Sequence, residues 1–208
     1  YSGAASLTSG PGFWKWEITP ATSSTPSPGL GSPANVALKG SGTIKWSKKK
    51  GTPGLWTGNV SSQWNEPGNW DNGLVPTLLV DVVIPKERPH FPSLTTYLYV
   101  GSTSASASYH QCQSLTIQTG AEVNATPGNP YVYIDGLVLV ESGATFHVDY
   151  NAQNLITVRS GGKLQIDGGQ VIVGADLDYG SADLIINNGG EVELNGGKLH
   201  VYDTIRAD

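Results

Sequence analysis

The 208-residue sequence has no methionine and a single cysteine, Cys112. One cysteine excludes an internal disulfide and any zinc site built on thiolates. Charged residues make up only 14 % of the chain and the net charge is −5. That balance argues against nucleic acid as a partner, since no basic stripe is present to neutralise phosphates. It does not favour an anionic membrane surface either. No apolar run approaches the ~18–20 residues of a membrane helix, so membrane insertion is not expected. Helical periodicity is missing too: Gly and Pro interrupt often, and apolar residues alternate with period two. Glycine (27) and proline (13) are abundant, a composition that suits a turn-rich, all-β protein. A chain that starts at Tyr1 and lacks methionine reads as a processed or trimmed segment of a longer product, its signal peptide already removed.

Three regions follow from composition. Residues 1–55 include "TPATSSTPSPGLGSPAN" (19–35), a Ser/Thr/Pro-rich stretch that buries little and reads as a linker or surface strap. "GTIKWSKKKG" (42–51) suggests a short strand and a solvated basic turn. Residues 56–113 hold a Trp-rich segment and a first coil. Residues 114–208 carry an internal repeat, the strongest signal in the chain. Aligned on the glycines at 120, 143, 161 and 189, positions −5 and −3 are apolar in all four units: Leu115/Ile117, Val138/Val140, Ile156/Val158 and Leu184/Ile186. Position +3 is apolar as well: Val123, Phe146, Leu164 and Val192. The spacings are 23, 18 and 28 residues. Short strands separated by Gly corners cannot close a core one unit at a time, but stacked units can. The expected fold is therefore a parallel β-solenoid, read as a right-handed β-helix, with a β-sandwich as the alternative.

A solenoid needs its ends covered. All six tryptophans lie in the first 70 residues, ahead of the repeat. One reading packs them into an N-terminal cap over the first coil. The other makes Trp56, Trp64 and Trp70 stacking platforms for sugar rings. At the other end "KLHVYDTIRAD" (198–208) stops with the pattern still running, so the chain is expected to continue or to meet another molecule there.

The order Trp56-Thr57-Gly58, Trp64, Asn69-Trp70, Val75-Pro76-Thr77, Asp81-Val82-Val83-Ile84-Pro85, then Cys112, Leu115, Ile117, Gly120 and Ala121 resembles a module of large secreted proteins of Bacteroidota. The resemblance covers about residues 56–125. It implies an exported, extracellular or outer-membrane-associated cell-surface protein, cargo of the type IX secretion system, adhesin-like or structural rather than catalytic. Implied partners are other domains of the same long chain, surface glycans and the secretion machinery. The short "DTI" at 203–205 resembles an O-glycosylation signal of that group, with Thr204 as the acceptor.

Catalysis finds little support in the pattern. A polysaccharide lyase needs a base and a cation for the uronate; a glycosidase needs two carboxylates about 5–9.5 Å apart. The outward positions read instead as mixed ladders. Glu141 with Arg159, and Lys163 with Glu191, are expected pairs between neighbouring coils. Leu139, Ile172 and Ile185 point outward in this register, marking a face to be covered. No cofactor is implied. The one metal candidate is Ca²⁺ on the loop "ADLDYGSAD", through Asp176, Asp178 and Asp183. The histidines (His90, His110, His147, His200) are scattered and read as surface or cap residues. The working expectation is a structural, adhesive module, with a carbohydrate-binding or polysaccharide-degrading β-helix as the alternative.

Overall fold

The computed structural model describes residues 51–103, 106, 108–125, 131–149, 156–174 and 183–207, and residues 1–50 through the backbone of six strands. The chain forms two compact units, one of residues 1–52 with 72–74, the other of 53–71 with 75–208. The first contains β1 (Gly3–Leu7), β2 (Phe13–Thr19), β3 (Ser24–Thr25), β4 (Gly29–Leu30), β5 (Ala34–Leu38) and β6 (Thr43–Lys48). They make two antiparallel sheets, ordered β1-β5-β3 and β4-β2-β6. This corrects the reading of residues 1–55 as a linker or strap. Within the Ser/Thr/Pro stretch lie the two-residue strands β3 and β4. The long pairing comes from alternating segments on either side, "FWKWEIT" with "TIKWSK", where Trp16 is in register with Trp46 and Ile18 with Ile44. An averaged composition hides that alternation.

The second unit continues with β7 (Asp81–Ile84), β8 (Leu98–Val100), β9 (His110–Cys112), β10 (Ser114–Ile117), β11 (Glu122–Ala125), β12 (Val132–Ile134), β13 (Leu137–Val140) and β14 (Thr145–Val148). It ends with β15 (Ile156–Val158), β16 (Lys163–Ile166), β17 (Gln170–Val173), β18 (Leu184–Ile186), β19 (Glu191–Leu194), β20 (Lys198–Val201) and β21 (Ile205–Ala207). Every pairing between these strands is parallel. They stack into three faces: β7-β10-β13-β16-β19, then β11-β14-β17-β20, then β9-β8-β12-β15-β18-β21. Each turn of chain visits the three faces in order, which makes a parallel β-solenoid. β9 departs from the order. It follows β8 in sequence yet lies on the far side of it from β12.

Alternation decides which side chains turn inward. Val82, Leu115, Val138 and Leu164 form one buried column; Ile84, Ile117, Val140 and Ile166 form its neighbour. Phe146 sits between Val123 and Val171 on the second face, and Val132 between Leu98 and Ile156 on the third. Each fully buried aliphatic side chain contributes about 1.5–3 kcal/mol relative to exposure. In the last coil the same columns surface: Leu194 is 51 % and Ile205 55 % exposed, where the in-register Ile166 and Leu184 are fully buried.

The register also corrects the repeat. Ile117, Val140, Ile166 and Leu194 are partners, so successive coils take 23, 26 and 28 residues. Glycines 120 and 143 turn the chain from the first face to the second, and in later coils that corner is Gly168-Gly169 and Gly196-Gly197. Gly161-Gly162 and Gly189-Gly190 turn the chain from the third face to the first. The two corners carry the same sequence sign because they have the same needs. Gly161 adopts φ +82, and a Cβ on Gly162 would lie 2.0 Å from the carbonyl oxygen of Ile134 in the coil beneath. In the first coil Glu87, at φ 56, holds the left-handed position that Gly120 takes in the next.

Candidate functional site

Two places concentrate side chains that sequence reasoning assigned, or failed to assign, to function. The first adjoins β7. The N–H of Trp56 donates to Val83 O at 3.0 Å, and Val83 N–H donates to Gly54 O at 3.0 Å, so residues 54–56 run along the outer edge of β7. Gln63 bridges Ser93, which in turn bridges Asn124 of β11, and β9 borders β8. Each of the three faces is thus extended at this end. Inside lie Trp56, Trp64 and Trp70, at 0–1 % exposure. Trp70 meets Trp56 and Trp64 edge-on, each with a centroid distance of 4.9 Å. Trp70 Nε1 donates to Trp64 O and Trp56 Nε1 to His90 O, both at 2.8 Å.

Asn69 staples the connecting loop. Its buried side chain accepts from the N–H groups of Val60 and Ser61, both at 2.9 Å, and donates to Gln63 O at 2.8 Å and Ser61 Oγ at 3.1 Å. Its carbonyl accepts from Thr57 N–H at 2.7 Å. All the polar capacity of this amide side chain is used. The Trp-Thr-Gly and Asn-Trp pairs of the sequence are therefore parts of one buried construction. Carbohydrate stacking on Trp56, Trp64 or Trp70 is overturned: a ring at 0–1 % exposure has no face to offer.

The remaining candidates are dispersed. Asp176 and Asp178 lie outside the described residues. Asp183 is fully buried, with Arg206 Nη2 2.8 Å from its Oδ2, and so is committed to a cation of the chain itself. Among the described residues no group of three or more His, Cys, Asp or Glu is placed to hold a metal ion. Thr204 is half-buried and its hydroxyl donates to Asp203 at 3.1 Å. Glu141 does not meet Arg159; it accepts from Thr119 N–H at 3.0 Å, and Arg159 reaches Asp135 at 3.5 Å. The expected pairing failed because the two residues belong to different corners. Lys163 does meet Glu191, at 3.6 Å, and also pairs with Glu193. Leu139, Ile172 and Ile185 are half-buried on outward positions of three different faces and make no common patch. Cys112 is fully buried, and burial pushes its thiol well above the usual range, so it is no nucleophile.

The second place was not anticipated from sequence. On the third face Tyr97, Tyr99, Tyr109, Tyr131 and Tyr133 are all half-buried and in mutual ring contact. Leu98 and Val100 of β8 turn inward, so Tyr97 and Tyr99 turn outward. Val132 and Ile134 do the same for Tyr131 and Tyr133. Tyr99 and Tyr133 are register partners with ring centroids 5.0 Å apart. Tyr97 stacks on Tyr109 at 4.9 Å. The guanidinium of Arg159 lies 3.9 Å from the Tyr133 ring centroid. None of the five phenol hydroxyls bonds to another described residue. Burial, then the neighbouring phenols, raise the Tyr99 pKa, which Arg159 opposes; for Tyr133 burial again leads. Both remain hydroxyl donors at neutral pH. The readable sign was the repeated Tyr-x-Tyr around one apolar residue, "TYLYV" and "PYVYI".

A family model described as a domain of unknown function (DUF8693) matches residues 55–179, more than half of the chain. Neither the curated proteins nor the solved structures gave a match.

Proposed function

We propose that this chain, which belongs to the DUF8693 family of domains of unknown function, serves as a non-enzymatic, secreted or cell-surface module of a larger bacterial protein. In this reading it is a rigid solenoid stalk that spaces or presents an adhesive surface. The observation that carries the reading is the continuous stack of parallel strands on three faces, from β7 to β21. Each coil buries its inward side chains against its neighbours, and Trp56, Trp64 and Trp70 are buried in the same core. A stack of this kind suits a spacer, since each coil contacts only the next. Parallel ladders on all three faces give stiffness along the stack. The secreted, cell-surface placement rests on the resemblance of the Trp-Thr-Gly to Cys112 segment to exported modules.

The intact mass of the native protein, taken by denaturing mass spectrometry from culture medium and outer-membrane fractions, tests this. The expected result is a species far above 21.9 kDa in the membrane fraction. A free species near 21.9 kDa in the medium contradicts the stalk and brings a soluble carbohydrate-binding role forward.

A further inference from the structure

We propose that the tyrosine face of β8, β9 and β12 is a binding site for neutral polysaccharide. The proposal rests on the adhesive-rod reading and names what the rod would hold. Five tyrosines occupy two outward columns across three adjacent strands, a plate about 10 Å across the strands and about 7 Å along them. The size matches one or two sugar rings.

Three kinds of ligand can be weighed by the chemistry of the plate. A wholly apolar partner would bury five phenol hydroxyls that have no partner among the described residues, and each unsatisfied hydroxyl is costly. Among the described residues the cation in contact with this face is Arg159, and that guanidinium is already held by Asp135 at 3.5 Å and by the Tyr133 ring, which leaves little for an anionic polymer. A neutral polyhydroxylated ligand fits both features. Its hydroxyls exchange hydrogen bonds with the phenols, and its C–H groups lie against exposed ring surface. The plate is also held in place before any ligand arrives. Tyr97 contacts Tyr109 face-on and Tyr131 edge-on, and Arg159 covers one side of Tyr133. Preformed geometry lowers the ordering cost of binding.

Affinity electrophoresis of the full chain in gels containing a soluble β-glucan, xylan, galactomannan, alginate or polygalacturonate tests the proposal. The double variant Tyr99→Phe/Tyr133→Phe serves as the probe. It keeps the ring contacts but removes two central hydroxyls, so its thermal midpoint should match the parent's. The expected result is retardation by at least one of the three neutral polymers, weakened about tenfold in the double variant. Retardation by none of the neutral polymers overturns the proposal, as does retardation that the double variant leaves unchanged or retardation by the two acidic polymers alone. A native mass far above that of this chain with no retardation would leave the stalk standing and remove only the binding site.

Discussion

Trp70→Ala should destabilise the solenoid by about 3–5 kcal/mol, the range for removing a large buried aromatic from a core that cannot collapse around the gap. Trp70 is the middle ring of the cluster, in edge contact with Trp56 on one side and Trp64 on the other. Its Nε1 donor satisfies the carbonyl of Trp64, so the substitution also strands a buried acceptor. Urea unfolding of the second unit, followed by far-ultraviolet circular dichroism, reads the loss. Trp70→Phe should recover part of it by refilling volume while still lacking the N–H. If Trp70→Ala leaves the midpoint within experimental error of the parent's, the tryptophans are not a structural seal.

The second large effect comes from acid. His110 is an inward residue of β9, in register with Leu98, and only 2 % exposed. Its Nε2 accepts from Thr95 N–H at 3.2 Å, and its Nδ1 lies 3.3 Å from Asn65 Oδ1, which assigns the proton to Nδ1. The Trp64 ring lies beside it, at 5.8 Å between centroids. This surround accepts the neutral ring and has no place for a second proton. Burial pushes the His110 pKa down from 6.5 to about 4. With the folded pKa below the unfolded one, the unfolded chain binds the extra proton first. Stability from this group is therefore complete above pH 6.5 and is lost as pH falls from 6.5 to about 4. The total is about 3 kcal/mol. Unfolding free energies at pH 7.5, 5.5 and 4 should follow that slope, and His110→Gln should remove most of it. An equal slope in parent and variant would mean that other groups control acid stability.

The solenoid was legible because its rules are local. A buried residue at every second position and a glycine at each corner leave marks that need no knowledge of distant contacts. The same locality caused the error in coil length. Two corners of one triangular coil ask for the same left-handed glycine, so Gly143 and Gly161 look equivalent although they turn different faces. Only strand pairing separates them, and pairing is not local. The tryptophans were misleading in a different way. Sequence shows that a ring is present but not whether its face is covered, and Trp56, Trp64 and Trp70 cover one another. The tyrosine plate was hidden because it is assembled from three strands of which one, β9, runs out of order. The Ser/Thr/Pro stretch at the centre of residues 1–55 reads as a linker by composition, while Trp16 and Trp46 pair in register on either side of it.

Native-state amide hydrogen exchange along the solenoid tests the central claim, a continuous parallel stack whose first strand is covered along its outer edge. Amides in β7 should exchange nearly as slowly as those in β10 and β13, since residues 54–56 pair along its outer edge. If the β7 amides exchange far faster than those of β10 and β13, the first strand is not covered, and the account of the tryptophans fails with it.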